Sequence, residues 1–155
     1  LLTRFLRHIR AWPDARAASV AKQLEELCIH RVPLVWSVRL NAADAPAAHK
    51  LLMMEQVKIS MGILRRDPAA RQEFLPLLPL LLVRDGRDQE LPGDETALRP
   101  GDQLLFAGTR AAKAAQNLTL DNRNALEYVL TGQDAQGLLW RWFNAAKAAS
   151  DPGRR

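Results

Sequence analysis

The stretch from Leu77 to Gly108, LLPLLLVRDGRDQELPGDETALRPGDQLLFAG, constrains the fold more than any other. Its apolar run from Leu77 to Arg84 is too unbroken for a half-exposed strand, so it predicts a strand buried on both faces near its middle. Asp85-Gly86 suits the two positive-φ positions of a tight hairpin turn. Arg87 to Leu91 is then the returning strand, polar and near a sheet edge. Pro92-Gly93-Asp94 turns the chain again. Pro100-Gly101 fits the centre of a type II turn, where glycine supplies the positive φ. Gln103 to Ala107 is the last strand; Gly108 ends it and Thr109 caps the next helix.

Upstream, VPLVWSVRL (Val32 to Leu40) is the first clear strand. Branched and aromatic residues dominate both of its faces, which places it centrally in a sheet, with Trp36 in the core. Asp44 as N-cap and Pro46 in the first turn open a helix running to about Met54. Strand, short loop and helix make half of a βαβ unit. In QVKISMGIL (Gln56 to Leu64), Val57, Ile59, Met61 and Ile63 alternate with smaller or polar residues, which favours a strand, while Met61 and Leu64 also suit a helix.

Residues 1–31 read as a helical linker or crossover region. Leu2, Phe5, Leu6 and Ile9 recur at helical spacing, with Arg4, Arg7 and Arg10 on another face. Trp12-Pro13-Asp14 breaks the pattern, and a second helix follows from about Ala17 to Cys28. Residues 32–110 form the α/β unit. Residues 111–155 form a C-terminal helical extension: Ala111 to Leu118, Asn122 to Thr131 ended by Gly132, and Ala135 to Ala149. Trp140 and Trp142, two positions apart in that last segment, cannot share a helix face, so one of them packs on a core or a partner while the other looks away. The fold class is therefore α/β (α+β), a small mixed sheet with helices and a helical extension.

A hydrophobic fraction of 48% over 155 residues is enough for a packed core and excludes a disordered chain. The lone cysteine, Cys28, excludes an internal disulfide and fits a reducing compartment. A formal charge of +5 permits contact with nucleic acid or an anionic surface without requiring it. No signal peptide is expected, and the run FLPLLPLLLV is too short and too proline-rich to span a bilayer. The first residue, Leu1, fits a piece of a longer chain.

Reactive signatures are few. No phosphate-binding P-loop, dinucleotide fingerprint or nucleophile elbow is present. Cys28 and His30 would give a metal two ligands where a structural zinc site needs four, so both read as a helix end. Asp85, Asp88, Asp94 and Asp102 fall in turns, where aspartate serves local hydrogen bonds, and lack calcium-loop spacing. The candidate ligand residues are Arg39, His49 and Arg84: two arginines at strand ends with a histidine on the helix after the first strand, where α/β sheets collect anions.

The residues Val83, Arg84, Gly86, Pro92, Leu98, Gly101, Asp102, Leu104 and Gly108 together resemble the C-terminal subdomain of RCK proteins, the TrkA C-terminal domain. That family shows a strand ending in Arg-x-Gly, a following proline, then Leu-x-x-Gly-Asp-x-Leu and a closing glycine. The likeness covers roughly residues 77–110 and reaches back to Val32, with residues 40–76 longer than the family's usual connection. The resemblance implies a non-catalytic regulatory domain on the cytoplasmic side of a bacterial potassium channel or transporter. It implies a homodimer, a membrane pore and a Rossmann-like subdomain elsewhere in the parent chain, and an unidentified regulatory ligand with no cofactor in this fragment. A nucleic-acid-binding module using Arg4, Arg7 and Arg10 is the alternative. A small enzyme is the third reading, weakened by the lack of a convergent acid, base and nucleophile.

Overall fold

The computed structural model describes residues 1–133. In chain order they form α1 (Leu2–Ile9), α2 (Asp14–Leu27), β1 (Leu34–Arg39), α3 (Pro46–Met54), α4 (Met61–Leu64), β2 (Leu77–Arg84), β3 (Arg87–Glu90), β4 (Gln103–Gly108), α5 (Arg110–Asp121) and α6 (Arg123–Thr131). This is a mixed α+β fold. The four strands make one sheet in the order β1-β4-β2-β3, and every pairing is antiparallel. The expected segment from Ala135 to Ala149, with Trp140 and Trp142, lies outside the described residues.

The hairpin forms as its turn chemistry requires. Asp85 and Gly86 both hold positive φ, 51° and 77°, and Arg84 pairs with Arg87 across them. Gly101 holds φ 86° in the second turn. β2 is buried on both faces because β4 and β3 flank it and helices cover both sides. Pro79, which cannot donate to a ladder, sits beside a bulge and beyond the reach of β3.

Two apolar layers sandwich the sheet. On one face Trp36, Val38, Leu82, Leu104 and Phe106 pack with Leu51 of α3, Leu64 of α4, Leu120 of α5 and Leu126 of α6. The Trp36 and Phe106 rings stack 5.9 Å apart on paired positions of β1 and β4. The Trp36 indole donates to Gln116 Oε1 at 2.8 Å, and Gln116 Nε2 donates to the Leu64 carbonyl at 3.2 Å. The fully buried amide is thus paired at both ends, which its burial demands. On the other face Leu80, Leu81, Val83, Leu105 and Ala107 pack with Phe5 of α1 and Val20 of α2.

Four expectations are corrected. β1 is an edge strand, with only Trp36 and Val38 buried while Val35, Ser37 and Arg39 are exposed. Its apolar composition therefore reflects one covered face and one open one. The half βαβ unit is not completed, because the chain returns antiparallel. The alternating segment Gln56 to Leu64 makes a single bridge, Ser60 to Ala97, and then one helical turn. There the Met61 and Gly62 amides donate to the Thr96 and Asp94 carbonyls, so a loop rather than a strand takes the partners. Asp44 does not cap α3; instead Asn41 Oδ1 accepts from the Ala43 and Asp44 amides and fixes the approach, and Pro46 opens the helix. Downstream, Thr109 caps α5 and Asn122 caps α6, which ends at Gly132 with φ 74°.

Gly108 is a point of close backbone approach in the sheet. A Cβ there would lie 2.5 Å from the Pro76 carbonyl oxygen and 2.7 Å from Leu77 Cα, both backbone. Gly108→Ala is expected to lower the stability by about 1–3 kcal/mol, the range for overpacking. A urea midpoint that falls with an unchanged slope would bear this out, and an unchanged midpoint would refute it.

Candidate functional site

Arg84 and Asp102 are the most tightly organised polar pair of the sheet. The last residue of β2 reaches the turn before β4, and Arg84 Nε and Nη2 donate to the two Asp102 carboxylate oxygens at 2.8 and 2.7 Å. Asp102 is 1% exposed and also accepts from the Arg99 amide at 2.8 Å. Arg84 Nη2 donates further to the Ala97 carbonyl. The side-chain bond to Asp102 holds the Arg84 guanidinium above its ordinary range, with burial opposing and the charges of Asp102 and Asp85 assisting. A planar fork on a buried carboxylate is geometry that lysine cannot copy.

Beside this pair runs an open groove of about 440 Å³ lined by Leu82, Arg84, Asp85, Arg87, Asp88, Gln89 and Arg99. Arg87 and Arg99 are exposed and make no ion pair with a described residue. Asp85, Asp88 and the Asp102 behind Arg84 offset the three guanidinium groups, so the groove has no strong excess of either charge.

The three sequence candidates do not converge. Arg39 shares the open face of β1 with Val35 and Ser37, whereas Arg84 shares the face of Leu82 that packs against Trp36 and Val38. Both stand at the same end of the sheet but on opposite sides. His49 is half-buried on α3, and neither it nor Arg39 lines the groove. No described group hydrogen-bonds the His49 ring or the Arg39 guanidinium. Among the described residues no group of three or more His, Cys, Asp or Glu is placed to hold a metal.

Two surfaces had no signal in the sequence. The first is apolar and lies beside β1. Ile29 and Val32 are 78% and 94% exposed, Val35 stands on the open strand face, and a groove of about 710 Å³ lined by Cys28, Arg31, Val32, Pro33, Leu34 and the start of α5 runs alongside. Ile29 and His30 also hold positive φ, 51° and 57°, a strained choice for a branched residue. Because α1 and α2 cover β2 and β4, the second face of β1 is left open.

The second is a polar clamp. Arg4 and His8 of α1, Trp12 of the connection and Arg16 of α2 meet the two inward residues of β3, Asp88 and Glu90. Arg4 Nε donates to Asp88 Oδ2 at 2.7 Å, Trp12 Nε1 to Glu90 Oε2 at 2.6 Å, and Arg16 Nη2 lies 3.0 Å from Glu90 Oε2. His8 Nε2 lies 2.7 Å from Asp88 Oδ2 and His8 Nδ1 2.9 Å from Glu90 Oε1. The partners all lie more than 70 residues apart in sequence, so no local pattern could have linked them. Helical spacing alone put Arg4 with Arg7 and Arg10.

No protein-family model, curated protein or solved structure matches the chain.

Arg84→Met is expected to lower stability by about 3 kcal/mol, because it strands a buried carboxylate. Arg84→Lys should keep the charge but lose the fork, with a smaller fall. Chemical denaturation of the two variants checks the order; equal losses would make the charge rather than the fork the operative feature.

Proposed function

We propose that this chain is a non-catalytic regulatory domain that self-associates, of the kind the RCK C-terminal resemblance implies for a bacterial potassium channel or transporter, working at the cytoplasmic face of the membrane. One observation carries the reading: the residues on which the resemblance rests all serve shape. Gly86 and Gly101 hold the turns, Gly108 admits the neighbouring strand, Arg84 and Asp102 lock β2 to the turn before β4, and Pro92, Leu98 and Leu104 are buried. A motif that builds a stiff sheet and aims no reactive group outward suits a part that passes on strain. Function then lies in a coupling free energy between surfaces. Among the described residues, no helix is long and apolar enough to cross a membrane.

The surface that suits self-association is the open edge and face of β1. An edge strand carries unpaired backbone donors and acceptors, and two antiparallel copies about a two-fold axis satisfy both at once. β1 lacks the usual edge defences: from Leu34 to Val38 it holds no charge, proline or bulge. Exposed Ile29, Val32 and Val35 add an apolar strip alongside. The nucleic-acid alternative is weaker on this geometry, because Arg4 is committed to Asp88 and only Arg7 and Arg10 of the three remain exposed.

Sedimentation of the whole chain over a wide concentration range tests the reading. A dimer is expected, and Val35→Lys should convert it to monomer with a monomer stability changed by no more than about 0.5 kcal/mol. A monomer at every concentration would contradict the proposal. Salt-sensitive binding to duplex DNA by that monomer would favour the alternative.

A further inference from the structure

We propose that protonated His8 is the pin of a pH-sensitive latch holding the N-terminal helices to the β2–β3 hairpin. Both ring nitrogens face carboxylate oxygens, Nε2 toward Asp88 and Nδ1 toward Glu90, at 2.7 and 2.9 Å. The Nε2 contact is a hydrogen bond and the Nδ1 contact an ion-pair distance; only the imidazolium turns an N–H and a positive charge toward both, whereas a neutral ring must turn a lone pair toward one carboxylate. The groups facing His8 are Asp88 and Glu90 of β3, Arg4 of its own helix and, through Glu90, Arg16 of α2 and the Trp12 indole. Arg16 also lies over the Trp12 ring, 4.2 Å from its centre. Two carboxylates are thus shared among two arginines and one histidine, and only the histidine changes charge between about pH 5 and 8.

The latch matters because the layer it fastens is lightly packed. α1 buries only Phe5 and α2 only Val20, with Ile9, Trp12 and Leu24 partly buried against the same cluster, while Leu2 and Leu6 are about half exposed. With so little apolar area to hold the helices, polar pins decide how firmly they dock. Asp88 Oδ1 is buried without a described partner, so Arg4 and His8 both act through the other oxygen.

The two limbs of the pH dependence have opposite signs. Docking that uses the imidazolium is present where the ring is protonated and is lost where rising pH leaves it neutral. Partial burial pushes the Asp88 carboxyl up, but hydrogen bonds from His8 and Arg4, with their charges, outweigh it and hold it below the usual carboxylate range. Its contribution is therefore present above the unfolded value near 3.9 and is lost only as the pH falls further. The latch is closed while His8 is protonated and Asp88 ionised, and it opens when either condition fails.

Hydrogen exchange of the whole chain, corrected for intrinsic rates, tests this over roughly pH 5.5 to 8.5. Protection of the α1 amides is expected to fall about tenfold as the pH rises, the change one charge-assisted hydrogen bond supports. The β4 amides should hold. His8→Gln should show weak α1 protection at every pH, whereas His30 and His49, intact in that variant, would keep any dependence of their own. Wild-type α1 protection that does not change with pH would overturn the proposal, as would a dependence that survives His8→Gln. The latch stands apart from the self-association reading, and its failure would leave that reading untouched.

Discussion

The Arg84–Asp102 pair is the interaction on which the rest of the sheet depends. It joins the end of β2 to the turn before β4, the two strands that form the centre of the sheet. A buried ion pair is a weak source of stability, since desolvation offsets most of its attraction. It is a strong source of specificity, since a stranded partner is costly and a bidentate fork tolerates one arrangement. The Asp85-Gly86 turn sets the β2–β3 register on one side, and the fork sets the geometry of the Pro100-Gly101 turn on the other. Around that fixed frame the Trp36–Gln116–Leu64 chain ties α4 and α5 to β1.

The two helical layers differ in how they are held. The layer of α3 to α6 shares a large cluster with the sheet, with many side chains fully buried. The layer of α1 and α2 has a small cluster and a set of ion pairs to one short edge strand. The proposed latch and the proposed self-association edge both lie outside the densely packed part of the core. That division is the one the proposed regulatory reading requires.

Local turn chemistry made the hairpin legible in the sequence. Asp85-Gly86 and Pro100-Gly101 each determine a turn within four residues, and the caps at Thr109 and Asn122 and the stop at Gly132 are equally local. Questions of what lies next to what were not legible. β1 reads as apolar on both faces, yet its exposure is set by how far α1 and α2 reach across the sheet. Alternation at Val57, Ile59, Met61 and Ile63 matched a strand, but the backbone partners available there come from the loop at Asp94 to Ala97. For Arg84, an arginine at a strand end reads the same in sequence whether its fork faces a ligand or, as here, is filled by Asp102. His8 could not be singled out at all, because its partners lie 80 residues away.

The proposed self-association works through the open edge of β1. Amide exchange of β1, followed residue by residue while the protein is diluted, tests it most directly. The outward-facing β1 amides are expected to be protected at high concentration and to become labile on dilution, while the β2 and β4 amides stay protected throughout. Outward β1 amides that exchange rapidly at every concentration would contradict it.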